Sequence, residues 1–511
     1  MMILISTTKK IFLTGIALVL NNSLASCQNK EATIHIDFSK TYQTISNFGA
    51  SDAWSCQFAG NWPDDKRNKI ADLLFSNDTY ADGSPKGIGL SLWRFNIGAG
   101  SAQQGNGSEI QDEWRRAESF LNADGTYNWQ NQSGQVWFLK AAKKRGVKQF
   151  LGFTNSPPVQ YTINKKAYAN DGKVNIAPDK YNAFAAYLAK VVQGLEQVSE
   201  IKFDYISPIN EPQWDWSNGG QEGCPYNNTE IAGVIKSISK EFEAKKISSK
   251  ILVGEAGSIN YLFTPGDKPG RGNQINDFFR PGSANYLGDL PGVSKTISAH
   301  SYFTTSPMAT AIKARKALAD NIAAIKGLDY WQSEYCILGD NAGEMDGNER
   351  DLGIDAALYL ASVIHTDLTV ANASAWQWWT AISAYDYKDG LIYIDKNKTD
   401  GNFYSSKMLW AMGNYSRFIK PGAIRINAEV SSSENKPLLV SAFKSGKNIV
   451  VVIINPNPDD VVTGLNTGNT KIQFTNSYLT SRTGELKASK IDGSKTIIPS
   501  RSVITLTGLI R

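Results

Sequence analysis

Histidine is the scarcest chemical resource of this chain, with His35, His300 and His365 its only copies among 511 residues. Three dispersed imidazoles nearly exclude a histidine-built metal site and make a Ser-His-Asp triad a poor expectation. Cysteine is equally sparse at four, and no CxxC pair exists to hold zinc. There is no HExxH, no GxSxG elbow, no Walker loop and no full dinucleotide fingerprint. Net charge is only +5 and the basic residues do not cluster, which argues against nucleic acid as a partner. Past the first 25 residues no apolar run approaches the roughly 20 residues of a membrane helix. No cofactor and no metal are therefore expected.

The N-terminus reads as an export signal. Lys9 and Lys10 precede the apolar run Ile11 to Leu20, and Leu24-Ala25-Ser26-Cys27 resembles a bacterial lipoprotein cleavage box with Cys27 as the lipidated residue. Plain secretory cleavage after Ala25 or Ser26 is the alternative. Either way the mature chain is expected to be exported, to the periplasm, outer membrane or cell surface, and to meet membrane only through its lipid. Cys56, Cys224 and Cys336 then remain, an odd number. A Cys56–Cys224 bridge is open, but buried thiols are the default.

What is abundant is aromatic surface: 13 Trp, 21 Tyr and 21 Phe. These supply core volume, and flat apolar faces of the kind that stack on sugar rings. From Phe48 to Phe418, strand-like runs alternate with amphipathic stretches. Phe48–Ser51, Ile88–Phe95, Gln149–Thr154, Phe203–Ile209, Ser249–Gly254, Thr296–Tyr302, Tyr330–Cys336 and Ala375–Trp379 make eight, the number that closes an α/β barrel. Helices are expected at 135–144, 178–197, 228–245 and 355–365. From Ala423 onward short alternating strands separated by Gly, Asn, Pro and Ser predict a small antiparallel sandwich, completed by the strand Ala32 to Phe38. The division expected is thus residues 1–27 signal and lipidation site, 28–46 N-terminal strand, 47–418 (β/α)8 barrel and 419–511 side sandwich.

Two glutamates stand at strand ends. Glu211, in Asn210-Glu211-Pro212, follows the fourth apolar run, and Glu334, in Gln332-Ser333-Glu334, ends the seventh. The C-terminal ends of the strands form the active-site face of such a barrel, so the two carboxylates should face each other across its mouth. Retaining cleavage of a glycosidic bond needs one carboxylate to attack the anomeric carbon and one carboxylic acid to protonate the leaving oxygen, roughly 5–5.5 Å apart. Asn210 adds an amide suited to the sugar 2-OH. Glu255, ending the fifth strand, is the best rival carboxylate, expected to orient neighbours or touch substrate.

Asn-Glu-Pro at strand four with a second Glu at strand seven resembles the retaining (β/α)8 glycosidases, and within them glycoside hydrolase family 30. Three further stretches resemble that family: Gln43-Thr44-Ile45-Ser46-Asn47-Phe48-Gly49, in which Asn47 replaces a glycine; His300-Ser301-Tyr302 at strand six; and Pro499 to Leu506 in the side sandwich. The resemblance implies Glu211 as acid/base and Glu334 as nucleophile, with Asn210, His300 and Tyr302 at the cleaved sugar. It implies that Arg94 braces a catalytic carboxylate and that one of Trp378 and Trp379 is the stacking platform, Trp378 being preferred. Asn155, Trp54 and Trp214 are further candidates for the cleft lining, and His35 and His365 are assigned structural roles. The implied partner is a polysaccharide or oligosaccharide, nearest the endo-β-1,6-galactanase-like branch, with β-1,6-glucan, xylan or glucosylceramide as alternatives. Endo and exo action stay open, as does oligomeric state, with a monomer as the default. Competing with this is a non-catalytic glycan-capturing lipoprotein, which has no need of two opposed carboxylates.

Overall fold

A computed structural model describes residues 30–432, 438–491 and 495–511 of the chain. Lys9 to Cys27 lie outside these residues. Among those described, no helix is long and apolar enough to cross a membrane.

The first strand, β1 (Lys30–Thr44), belongs to the side sheet and leads directly into the barrel. The barrel strands are β2 (Asn47–Ser51), β3 (Leu92–Asn96), β4 (Gln149–Phe153), β5 (Tyr205–Ser207), β6 (Lys250–Ala256), β7 (Val293–His300), β8 (Asp329–Glu334) and β9 (Ala375–Trp378). All neighbours pair in parallel, and β9 returns to β2 to close the ring. Most barrel residues are buried, because helices cover one side and the packed interior the other. The helix Tyr181–Ser199 shows how the covering works: Tyr181, Phe184, Leu188, Val191 and Leu195 fall on one face at helical spacing and are all buried. The helix Asn228–Ala244 starts where the sequence asks it to, at a capping box between Asn227 and Glu230.

At the N-terminal end of the barrel, Asn47 has a structural task. Its amide donates to Gln149 Oε1 at 3.1 Å and its oxygen accepts from Gln377 at 3.2 Å, so β2, β4 and β9 are tied across the floor. A glycine there would leave both glutamines short of a partner.

After the barrel come a small three-stranded sheet of β10 (Ile382–Ser383), β11 (Ile392–Ile394) and β12 (Phe403–Ser405), and then the side domain. Its strands are β13 (Ile424–Ser432), β14 (Leu439–Ser445), β15 (Asn448–Asn455), β16 (Val461–Asn466), β17 (Ile472–Thr480), β18 (Lys487–Lys490), β19 (Lys495–Ile498) and β20 (Ser502–Ile510). With β1 they form one continuous nine-stranded sheet in the order β18-β17-β20-β15-β14-β13-β1-β16-β19. The sheet is antiparallel as expected, with one exception: β1 is antiparallel to β13 but parallel to β16. β1 is also longer than the alternation suggested. Ile34, Ile36, Ile426, Val440, Val451, Ile453 and Leu506 build a separate core inside the sheet. Residues of opposite parity, Val450, Val452, Ile454 and Val503, join the barrel core instead. That two-sided burial explains the unbroken apolar run of β15.

Candidate active site

The upper half of the barrel interior is polar, and its centre is Arg94 on β3. The guanidinium is wholly buried, 3.7 Å from the Phe153 ring centroid. It donates to Glu334 Oε2 at 2.5 Å, to Glu255 Oε2 at 3.0 Å and to Asn210 Oδ1 at 3.1 Å. A planar fork with several donors can hold three acceptors in one plane, which lysine cannot. His300, the last residue of β7, faces the same cluster. Its Nδ1 is 2.9 Å from Glu211 Oε1 and its Nε2 is 3.1 Å from Glu255 Oε2. The Tyr302 hydroxyl donates to the second oxygen of Glu334 at 3.1 Å.

Electrostatics follow from this geometry. Burial opposes a charge on His300, but Glu334, Glu211 and Glu255 outweigh it and push the pKa to about 10. The ring is therefore an imidazolium at neutral pH, donating from both nitrogens. Burial would raise Glu255, yet Arg94 and His300 hold it down at about 2. Burial raises Glu334, with His300 and Arg94 pulling against it and the charge of Glu211 adding to it. Two cations facing three carboxylates leave one negative charge over, which a single proton on the cluster neutralises.

One atom from each of Glu211, His300 and Glu334 lies within 4.8 Å of the others. The set resembles a metal site only in composition. Arg94 already supplies a positive charge to Glu334 there. The spacing instead suits two carboxylates working on one bond.

Glu211 leaves β5 through Pro208 to Asn210 and adopts φ +45°, while Glu255 at the end of β6 adopts φ +49°. The Glu211 N–H donates to the Glu255 carbonyl at 2.8 Å, so the two strained turns hold each other. The carbonyl of Glu211 in turn accepts from the Trp214 N–H at 3.2 Å and from the Trp216 indole N–H at 3.0 Å.

These groups open into a cavity of about 470 Å³. Asn210, Glu211, Tyr302, Glu334, Trp54 and Trp214 line it. Arg94 and His300 sit beneath, buried. Asn155 is buried too and does not reach the lining. Trp378 requires a correction: it is wholly buried and does not line the cavity, its ring stacking 6.2 Å from Trp376 and its N–H donating to the Asp389 carbonyl at 2.8 Å. Trp379 faces the cavity and meets Trp54 edge-on at 5.1 Å. Strand parity carries the signal that could have decided this. Gln377 points inward to Asn47, so Trp379 shares its side and Trp378 does not. Trp216, Phe303, Leu338, Tyr387 and Arg115 also line the cavity and were not singled out from the sequence. They lie on loops or, for Arg115, in a single 3-10 turn, where no periodicity marks direction. Cys56, Cys224 and Cys336 are all buried free thiols, so no Cys56–Cys224 bridge forms. His35 bonds Ser431 in the side sheet, and His365 lies half-buried on a helix.

Residues 31–393 match the model of O-Glycosyl hydrolase family 30. An endo-β-1,6-galactanase from Hypocrea rufa is 24% identical over 430 residues, 81% of this chain and 79% of that protein. The glucuronoxylanase XynC of Bacillus subtilis (strain 168) is 27% identical over 375 residues, 72% of this chain and 74% of that protein. A solved structure of a conserved exported protein from Bacteroides fragilis is 34% identical, with a TM-score of 0.86 over 93% of this chain and 100% of that one. With a closed barrel, a side sheet and paired glutamates at its mouth, the chain belongs to glycoside hydrolase family 30 and is a glycoside hydrolase.

Proposed function

We propose that the protein hydrolyses a β-linked polysaccharide with retention of configuration, and that the substrate is a β-1,6-galactan. The observation that carries the mechanism is the approach of Glu211 and Glu334 to within 4.8 Å, too close for a water to be activated between them. Glu334 attacks the anomeric carbon. Both its oxygens are aimed, one by Arg94 and one by Tyr302. Glu211, supported by His300, protonates the departing oxygen and later takes a proton from the water that releases the glycosyl group. Asn210 has its oxygen committed to Arg94, which leaves its amide N–H groups for the sugar 2-OH.

The galactan assignment is supported by the similarity to the endo-β-1,6-galactanase, which spans more of the chain than that to the glucuronoxylanase. Export as a lipoprotein through Cys27 is part of the same proposal, supported by the Lys9 to Cys27 pattern and the likeness to an exported protein. A panel of β-galactan, β-glucan and xylan, assayed for released sugar, tests the substrate. The wild type should act on β-1,6-galactan, and Glu334→Gln should lose about 10⁴-fold or more in kcat. The first anomer seen by NMR should be β. An α product would overturn retention, cleavage of xylan alone would overturn galactan, and an active Glu334→Gln would remove the nucleophile.

A further inference from the structure

The aromatic lining of the cavity falls into two groups on opposite sides of the ring of strands. Trp54 and Trp379 follow β2 and β9, which are neighbours. Trp214 and Phe303 follow β5 and β7, across the mouth, and meet edge-on with ring centroids 6.1 Å apart. The second group has no part in the catalysis described above, yet it is carefully built. The Trp214 indole lies flat on the backbone at Gly257, where a Cβ would come within 2.4 Å of its Nε1. Tyr261 braces the far edge at 6.0 Å. Phe303 is 64% exposed and sits at φ +60°, so an apolar ring is held in water on a strained backbone. Neither feature helps folding.

We infer that Trp214 and Phe303 form the binding site for the leaving-group sugar. The inference rests on the two-glutamate reading above, because that reading decides which side is which. The acid must lie on the side of the oxygen it protonates, and Trp214 is three residues beyond Glu211 with its N–H on the Glu211 carbonyl. The sugar that becomes covalently attached lies by Glu334, against Trp54 and Trp379. The ring that departs then meets Trp214 and Phe303. Flat apolar faces take up the C–H face of a pyranose and leave its hydroxyls to solvent. A hydrolase indifferent to its leaving group has no use for such a platform.

The test compares two substrates that deliver the same glycosyl group: a β-1,6-galacto-oligosaccharide, whose leaving group is a sugar, and β-galactosyl fluoride, whose leaving group is a single atom. Phe303→Asn is the variant of choice, since asparagine tolerates the left-handed backbone, and Phe303→Tyr keeps the ring. The ratio of oligosaccharide to fluoride kcat/KM should fall about tenfold in Phe303→Asn, equivalent to roughly 1.4 kcal/mol of lost contact, and should hold in Phe303→Tyr. An unchanged ratio in Phe303→Asn overturns the platform, whether both rates fall together or neither does. If the wild type cleaves neither galactoside but does cleave another glycan, the galactan assignment fails. The same pair of leaving groups on that sugar then decides the platform separately.

Discussion

Glu255 is the residue on which the charge balance of the site turns. It touches no cavity surface, yet it accepts from both buried cations, Arg94 and His300. The His300 pKa of about 10 is raised above 6.5, so its contribution to stability is complete below pH 6.5 and is lost as pH rises through about 10. Removing one carboxylate partner by Glu255→Gln should lower that pKa by about one unit or more. The alkaline limb of the kcat profile should move to lower pH by a similar amount, while KM changes little. A profile that keeps its alkaline limb would show that His300 draws its charge from Glu211 and Glu334 alone. Glu211 and Glu334 were legible in the sequence because each follows an apolar run at a strand end, and a carboxylate has no reason to stand there unless it works in the mouth. Glu255 was legible as a carboxylate that orients its neighbours, but which neighbours was not, since nothing in a linear sequence shows that Arg94 lies between it and Glu334. The Trp378–Trp379 pair was ambiguous until the inward direction of Gln377 was known.

At the scale of elements, all eight barrel strands were visible as apolar runs, with errors confined to their ends. The fourth is instructive. Seven residues, Phe203 to Ile209, read as strand, but only Tyr205–Ser207 pair, because the chain must leave the ladder early to turn Glu211 into the mouth. The helix Ile354–Thr369 was expected to be shorter, and it carries His365 at the junction with the side sheet. Burial, and then the nearby charge of Arg425, lower the His365 pKa to about 4. A depressed histidine is neutral in the native state while the unfolded chain takes up a proton below pH 6.5. Stability should therefore fall as pH drops from about 6.5 to about 4, by at most about 3 kcal/mol for this residue. Thermal unfolding of the wild type and His365→Gln across that range checks it. Parallel Tm curves for the two would mean that other groups set the acid limb.

The whole molecule is tied together by β1. Its place in the side sheet was anticipated from its alternation, but its neighbours β13 and β16, and the parallel pairing with the second, were not, because alternation reports a buried face and says nothing of partner or strand direction. Ile34 and Ile36 are buried in the core of the side sheet, and those two side chains alone represent about 3–6 kcal/mol of burial. A variant lacking residues 1–44 should be recovered as aggregate, or should melt well below the wild type, since it exposes the inner edges of β13 and β16. A soluble protein with the wild-type Tm would show that the sheet closes without β1. The same strand also sets the order of events during synthesis. β1 leaves the ribosome before any barrel strand, while β13 and β16 are made only after the whole barrel. The first segment of the sheet must wait, unpaired, through the manufacture of nearly four hundred residues. Its exposed apolar alternation is then a hazard that a chaperone, or rapid closure at the end of translation, has to contain.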